Sequence, residues 1–507
     1  GLRLDWMRFE IGEGGRLWLR GASFFRPTAT VALAGLLLAG AGCGFLATLL
    51  LTAPLALLAA AGLLLDPWLT LRLLNGVPEV LLLLGGMGLV LGSILRQRGH
   101  TSTSELRFLM ALFVVATFVR LVPLNHPSFF HPDLRTHARI AAVVRADGPR
   151  FFSNPYASLW RPTGDGGRVA SGMWIKSLGG EAVGLPYAVA FHSLLAPWGL
   201  SEDASVTAVR VAGGAFAALA PVLVFCLARA LLLSTWVAGV GAVLAVAVPS
   251  LSAELANAAV PACLGHLCDL TFLTWLVTSL RSAAETGRPW PPSQWLRGAA
   301  GLAACYLAYT SSLVVSTLLL AALAVFAWMG LPALRPLRRA LVWVLALGAA
   351  SAIALYYWSF VPAAFHAVAA IASGRSGASP TGAVRTFGSV WPALVAWAAP
   401  LGVATGAFGV VRLLRVAGVT QAFFSAALTA LLLVGLARFG APQVFGWVHD
   451  ALFAGPLVCL ALALALAALK DRGRVGLGLA CLLVAALLFG GLVQYARLLQ
   501  AQAARAL

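Results

Sequence analysis

The segment His131-Pro132-Asp133-Leu134-Arg135-Thr136-His137 places an acid between two histidines, directly after a long apolar stretch. A carboxylate where a chain leaves the bilayer suits a reaction between a lipid-borne and a water-borne partner. The alternative is a helix N-cap, because an acid after proline at a helix start is a typical capping residue. The two roles are compatible, and Asp133 is therefore the first candidate for a functional residue.

Four more ionisable residues lie at the ends of later apolar stretches. Glu254 is the one acid of its short polar segment, and Arg438, His449 and Asp450 frame another short segment. Charged groups at a membrane edge are costly and therefore count as functional candidates. The alternatives are a solvated loop position for Glu254 and a snorkelling side chain for Arg438.

Two further pairs complete the set of candidates. Arg375 and Arg385 stand in a Gly/Ser/Pro-rich stretch with the composition of a mobile loop. Paired arginines suit a phosphate because guanidinium groups bind it through two parallel hydrogen bonds. His266 and Asp269 are three residues apart in an apolar stretch, so a helix places them on one face. Such an intramembrane polar pair is either structural or functional.

The histidines raise the question of a metal. His131 and His137 flank Asp133, and both, like Glu254, are candidates for an acceptor or metal site. No spacing of histidines and carboxylates matches a known ligand pattern. The sequence therefore requires no cofactor and leaves a divalent metal open.

These residues belong to a chain whose composition excludes a soluble globular enzyme. Of its 507 residues, 61% are hydrophobic and only 10% are charged, whereas soluble domains carry about 25% charged residues. Apolar blocks of about 20 residues recur along the chain, which is the length that a membrane-spanning helix needs. We predict an all-α, polytopic transmembrane protein with about 13–15 spans.

The basic residues assign the sides of the membrane. A net charge of +18 would suggest nucleic acid in a soluble protein, but here the cations cluster in short loops, and we expect no nucleic-acid partner. Under the positive-inside rule, these loops face the cytoplasm: 229–233, 281–297, 331–339, 412–419 and 470–474. The opposite side then receives one long segment, residues 124–204.

The long outer segment carries six of the chain's 17 acidic residues, and a loop of this length is typically functional. Its periodicity predicts an amphipathic helix from Asp133 to Asp147, stopped by Gly148 and lying at the membrane surface. Residues 185–200 form a second apolar piece, which we also expect at the interface.

Two apolar blocks are too long for a single crossing. Residues 298–330 contain a polar run, Tyr309 to Ser312, which predicts a tight hairpin. Residues 29–65 are interrupted by Pro54, and a single tilted crossing followed by a short interfacial piece fits an internal N-terminus.

The order of these features resembles the GT-C glycosyltransferase superfamily. An outward span leads to His-Pro-Asp and a surface helix, then Gly184-Leu185-Pro186-Tyr187, Trp198-Gly199-Leu200-Ser201-Glu202 and Val209-Arg210-Val211. The likeness is to bacterial relatives of protein O-mannosyltransferases and of lipid A aminoarabinose transferases, and it covers roughly residues 104–470. It implies three regions: an N-terminal segment with about three extra spans (1–103), a GT-C-like core with the outer catalytic loop (104–470), and a last span with a short tail (471–507).

The resemblance implies a role for several candidates. In the superfamily, the acid that opens the first large outer loop is the catalytic base, and Asp133 matches it. A late outer arginine holds the phosphate of a polyprenyl-phosphate sugar donor, and Arg438 stands in a similar place, with Arg375, Arg385 and His449 as further phosphate-binding candidates. The partners implied are that donor, a glycan, lipid or protein acceptor, and the bilayer.

The sequence departs from the family at two points. Many relatives carry an Asp-Glu pair at the first site, whereas Leu134 follows Asp133, and the Trp-Trp-Asp motif of oligosaccharyltransferases is missing. Two other classes therefore stay open: a multi-pass transporter or lipid-linked sugar flippase, and a non-catalytic scaffold of a polysaccharide assembly system. The three classes differ in whether Asp133, Glu254 and Arg438 meet at one site.

Overall fold

The computed structural model describes residues 21–99, 101–127, 129, 131–160, 174–176, 182–184, 188–363, 365, 391–398, 411, 418–440 and 448–506. Over these residues the chain is almost entirely helical, and eleven helices are long and apolar enough to cross a membrane. The prediction of an all-α, multi-pass integral membrane protein is thereby confirmed. The predicted count of spans is higher because it also includes the first half of the block 298–330, where the helix Pro292–Ala308 has only 17 residues. It includes the block 389–411 as well, most of which lies outside the described residues.

The chain divides into two compact units, Gly1–Ser128 and Phe129–Leu507. The described helices of the first unit are α1 (Gly21–Gly40), α2 (Phe45–Leu65), α3 (Pro67–Leu73), α4 (Val77–Val80), α5 (Gly86–Gln97) and α6 (Thr103–Leu124), with a π-helical turn at Leu81–Gly85. Helix α6 begins with a capping box between Ser102 and Glu105, which satisfies free N–H groups of its first turn.

The prediction that Pro54 interrupts the first apolar block is wrong. Pro54 lies inside α2, and the chain breaks at residues 41–44 instead, where Gly42 has a φ of +87°. Glycine adopts this left-handed conformation without steric cost, whereas a proline is tolerated inside a helix at membrane depth. The block therefore forms two helices rather than one crossing and a short piece.

Among its described residues, the second unit has thirteen α-helices that we label and a small sheet. The helices are α7 (Pro132–Asp147), α8 (Pro155–Leu159), α9 (Ala190–Leu195), α10 (Glu202–Ala230), α11 (Thr235–Val246), α12 (Pro249–Ala256), α13 (Val260–Thr286), α14 (Pro292–Ala308), α15 (Thr310–Trp328), α16 (Arg338–Leu355), α17 (Val419–Gly440), α18 (Asp450–Lys470) and α19 (Arg474–Ala506). The strands β1 (Trp174–Lys176) and β2 (Ala182–Gly184) pair antiparallel, with Ile175 opposite Val183. Residues 391–398 are also helical.

Helix α7 is the amphipathic helix that the sequence predicts. Its buried positions include Leu134, Ala138, Ala141 and Val144, whereas the arginines 135, 139 and 145 are exposed. It packs its apolar face on α10 and α9, and the chain turns at Gly148 with a φ of +52°. The second apolar piece of this segment contains α9 and a 3-10 turn, Ala196–Trp198.

Helix packing brings several distant chain segments together. The long helix α10 packs against α11 and α13, while α11 packs against α18 and α15 packs against α17. The short helix α12 contacts α13, α18 and α19. As a result, the C-terminal part of α12 lies beside the start of α18, although about 200 residues separate them along the chain.

The predicted break inside the block 298–330 is confirmed. Tyr309, with an extended backbone (φ −155°, ψ 130°), separates α14 from α15. The polar run that starts at this tyrosine forms the first turn of α15. Non-helical backbone at membrane depth needs polar partners inside the protein, and the side chains of this run meet such partners.

Candidate functional site

Glu254 and His449 form a buried pair. Glu254 lies in α12 with 1% of its surface exposed, and its Oε1 is 2.7 Å from Nδ1 of His449, which is also buried. The second oxygen, Oε2, is buried without a hydrogen-bond partner among the described residues. Because an unbonded buried oxygen is costly, this oxygen marks a position that a water molecule or a ligand hydroxyl would satisfy.

Arg438 and Asp450 form a second pair beside the first. Nη2 of Arg438 donates to Oδ1 of Asp450 at 2.7 Å and to the carbonyl of Val448 at 2.9 Å. Trp391 donates its indole N–H to the same carboxylate oxygen at 3.1 Å. Asp450 is buried, whereas 29% of the Arg438 side chain is exposed. The guanidinium group is thus held in a defined orientation with part of its surface accessible.

The two pairs share the chain segment from Val448 to Asp450. His449 belongs to one pair and its neighbour Asp450 to the other, so two acids and two basic side chains lie together. We call Glu254, Arg438, His449 and Asp450 the four-residue cluster. The sequence predicted three of its members as site residues and noted the fourth, but it did not predict which of them pair.

The start of α15 connects this cluster to Asp269. The Tyr309 ring packs edge-on against the His449 ring, with centroids 5.2 Å apart, and Ser311 Oγ accepts a hydrogen bond from the His449 backbone N–H. Ser312 donates to Asp269 Oδ2 at 2.7 Å. From the sequence, this polar run was interpreted only as a hairpin. Four polar residues within an apolar block also indicate a functional site.

Asp269 is buried in α13 and bonded on both oxygens. Besides Ser312, Ser316 donates to Oδ1 at 3.2 Å. His266, three residues earlier on the same helix, is buried as well. Besides these two serines of α15, the Cys305 thiol of α14 hydrogen-bonds Asp269.

Asp133 lies at the start of α7 and is half exposed. It is not the helix cap: the cap is His131, whose Nδ1 accepts from the backbone N–H of Asp133 at 3.3 Å. The Asp133 carboxylate lies 3.6 Å from the same ring nitrogen. Partial burial raises the pKa of Asp133, and the nearby His131 opposes this effect. The alternative prediction that Asp133 is the N-cap is therefore wrong, because the side chain of His131 caps the helix.

His137 is buried one turn after Asp133, and both of its ring nitrogens face protein atoms. Nδ1 is 3.1 Å from Nε2 of His192, and Nε2 is 3.1 Å from the carbonyl oxygen of Ala258. Ala258 follows α12, the helix that carries Glu254. The contact therefore ties the helix of Asp133 to the chain directly after Glu254.

Two sequence-predicted phosphate-binding candidates and the question of a metal remain. Arg375 and Arg385 lie outside the described residues. Within the part of the chain that the structure describes, no three histidine, cysteine, aspartate or glutamate side chains are grouped to hold a metal ion. A cavity of about 400 Å³, lined by Phe326, Met329, Leu331 and Gln421 among others, lies at the opposite ends of α15 and α17 from the cluster.

Comparisons with known proteins place few constraints on this chain. No protein-family model matches it, and no curated protein matches it. Among solved structures, it is similar to the apo form of an oligosaccharyltransferase from Archaeoglobus fulgidus, with 12% sequence identity and a TM-score of 0.46. The match covers 79% of this chain and 56% of that protein, so this chain spans little more than half the length of its structural neighbour. Similarity at this level does not assign the chain to a family.

Proposed function

We propose that the protein is an inverting glycosyltransferase of the GT-C type. It would move a sugar from a polyprenyl-phosphate donor to a glycan, lipid or protein acceptor on the extracytoplasmic face of a bacterial cytoplasmic membrane, as part of cell-envelope synthesis. One observation carries the proposal: Glu254, His449 and Arg438, predicted as site residues from separate segments, lie in one cluster. The sequence resemblance to the superfamily supports the same class.

Asp133 makes no hydrogen bond or ion pair with the four-residue cluster in the described part of the chain, but its helix is linked to the segment after Glu254. Its helix contacts Ala258 through His137, and Ala258 is four residues after Glu254. In this proposal the acceptor hydroxyl gives its proton to the Asp133 carboxylate as its oxygen attacks the anomeric carbon. Transfer proceeds through an oxocarbenium-like sugar, as in glycoside hydrolysis. Because the single base lies on the face of the sugar opposite the leaving phosphate, the configuration of the anomeric carbon is inverted.

The leaving polyprenyl phosphate requires cations. Arg438 is the first candidate for this role. Asp450 and the Val448 carbonyl orient its guanidinium group, and 29% of its side chain is exposed. His449, Arg375 and Arg385 are the further candidates for this role. Preorganised donors of this kind stabilise charge as it develops on the leaving group. Glu254 would bind a hydroxyl of the acceptor through its unbonded oxygen.

A substitution at Asp133 tests the proposal. The full chain is reconstituted in vesicles with a panel of polyprenyl-phosphate sugars, and release of polyprenyl phosphate is followed with and without a chelator. Asp133→Asn removes the base while keeping the shape, so we expect transfer to fall by about 100-fold or more with donor binding unchanged. Asp203→Asn is the matched control, because Asp203 is an exposed acid of the same outer segment.

The outcomes separate the three classes. Near-normal release in Asp133→Asn would contradict the catalytic assignment. Movement of the intact lipid-linked sugar across the vesicle membrane without release of polyprenyl phosphate would indicate a flippase. A protein that neither releases nor moves the donor, and that does not bind it, would fit the scaffold.

A further inference from the structure

His137 and His192 form a buried pair of imidazoles. Their ring centroids are 5.3 Å apart, and 3.1 Å separates Nδ1 of His137 from Nε2 of His192. The outer nitrogens face backbone carbonyls: His137 Nε2 that of Ala258 at 3.1 Å, and His192 Nδ1 that of Ala188 at 3.0 Å. The pair thus joins α7, α9 and the turn between α12 and α13.

Two neutral imidazoles carry two ring hydrogens, whereas each of the three contacts needs one, because a carbonyl only accepts. The hydrogens can serve the Ala258 contact and the ring–ring contact, with His192 donating to His137. They can equally serve the ring–ring contact and the Ala188 contact, with His137 donating to His192. In both arrangements a hydrogen bond joins the two rings and thereby α7 to α9.

This arrangement links the helix of the proposed base to the chain segment that follows Glu254. His137 is four residues after Asp133 on α7, and Ala258 is four residues after Glu254, whose backbone carbonyl accepts from Ala259 at 2.9 Å. We propose that His137 and His192 are positioning residues, a histidine clamp that fixes the helix of Asp133 against the chain that carries Glu254. The catalytic consequence rests on the proposed function, whereas the clamp itself does not.

Acid opens such a clamp. Burial lowers the pKa of His137 to about 4 and also lowers the pKa of His192, whereas a released imidazole has a pKa of about 6.5. The open state therefore binds protons more tightly, and the closed state loses stability as the pH falls from about 6.5 towards 4. For His137 alone, the opening equilibrium rises about tenfold between roughly pH 7.5 and 5.5.

Neighbouring ionisable groups on the packed elements are engaged elsewhere. On α10, Arg210 lies over the Phe129 ring at 6.0 Å. Glu254 of α12 bonds His449, and Tyr306 of α14 bonds Thr317 at 2.6 Å. The charge that acts on His137 comes from His131 on its own helix, and it also lowers the pKa.

Amide hydrogen exchange of α7 in the full chain, held in phosphatidylcholine nanodiscs, measures the opening directly. After correction for intrinsic rates, we expect residues 132–147 to exchange about tenfold faster at roughly pH 5.5 than at 7.5. The double variant His137→Gln/His192→Gln keeps a donor and an acceptor at each position but does not titrate, so its corrected rates should be equal at both pH values. His192→Leu removes the ring that hydrogen-bonds His137 and should speed exchange of α7 at both pH values.

The controls make the result decisive. His126→Gln changes an exposed histidine of the other compact unit and should behave as the wild type. A wild type without acid-induced opening, or a double glutamine variant that keeps it, would overturn the clamp. If His192→Leu does not fold, the glutamine variants decide alone.

Transfer kinetics connect the clamp to the proposed function. We expect His192→Leu to lower kcat for transfer without changing donor KM, and His192→Gln to restore it, because glutamine again forms a hydrogen bond with His137. Should no form of the protein show transfer, the proposed function fails while the exchange data still decide the clamp.

Discussion

Glu254 and Asp269 are both buried acids, but their carboxylates are satisfied differently. Each oxygen of Asp269 accepts a serine hydroxyl, from Ser312 and Ser316. One oxygen of Glu254 bonds His449, while the other is buried without a partner in the described part of the chain. Buried polar groups are normally bonded, and an exception calls for a specific explanation. The contrast separates an acid that holds helices together from one that is open to a ligand.

The side chains around the two acids also indicate a functional role for Glu254 and a structural role for Asp269. Glu254 lies in a cluster with Arg438 and His449, two side chains that can bind an anion. Asp269 is bonded by hydroxyl groups of a neighbouring helix, so its partners form a link between α13 and α15. We therefore expect substitutions near Glu254 to affect transfer and those near Asp269 to affect stability.

The largest effect is expected at Glu254. Glu254→Gln keeps the shape and a hydrogen bond to His449 but removes the charge, and we expect transfer to fall by about 100-fold with the melting temperature nearly unchanged. Release of polyprenyl phosphate and thermal unfolding in detergent measure the two quantities. A variant that unfolds more easily but still transfers at the normal rate would place Glu254 with the structural acids.

Arg438→Gln should lower both the stability of the protein and its affinity for the donor. It leaves the buried Asp450 without its cation, which costs about 1–2 kcal/mol because the arginine is partly exposed. Donor binding should weaken about tenfold through loss of a charged hydrogen bond to phosphate. Thermal unfolding and a binding titration with polyprenyl phosphate test this, with Arg297→Gln, an exposed arginine, as control. Unchanged donor binding would remove Arg438 from the phosphate site.

Asp269→Asn should lower stability by about 1 kcal/mol and leave transfer unchanged. The amide oxygen still accepts from one serine, and the amide N–H₂ can donate to the other hydroxyl. Thermal unfolding and the release assay check both parts. A loss of transfer comparable to that of Glu254→Gln would contradict the assigned difference between the two acids.

Losses of stability similar to that of Asp269→Asn are expected at the serines that bond Asp269. Ser312→Ala and Ser316→Ala should each cost about 0.5–1.5 kcal/mol, with the larger loss for Ser312, whose bond is 2.7 Å rather than 3.2 Å. Thermal unfolding of the two variants gives the order. A reversed order would mean that Ser312 is replaced by another donor when it is lost.

The local features of this protein follow from its sequence. Long apolar blocks required membrane-spanning helices, the apolar spacing from Leu134 to Val144 predicted α7, and the polar run at Tyr309 predicted the break between α14 and α15. Hydropathy and periodicity act over one or two helical turns, so they are readable without the tertiary structure. The prediction that Pro54 interrupts its apolar block was wrong, because a proline does not have to end a membrane helix.

The pairing of the charges was decided by the tertiary structure alone. Glu254 and His449 are 195 residues apart, and His137 and Ala258 are 121 apart, so no local pattern connects them. Which groups meet depends on the packing of α12 against α18 and of α7 against its neighbours. The sequence determined which few ionisable side chains lie among apolar helices, because each carries a desolvation cost at its own position. Only helix packing decided which of those side chains offset that cost for one another. It also left one oxygen of Glu254 without a hydrogen-bond partner among the described residues.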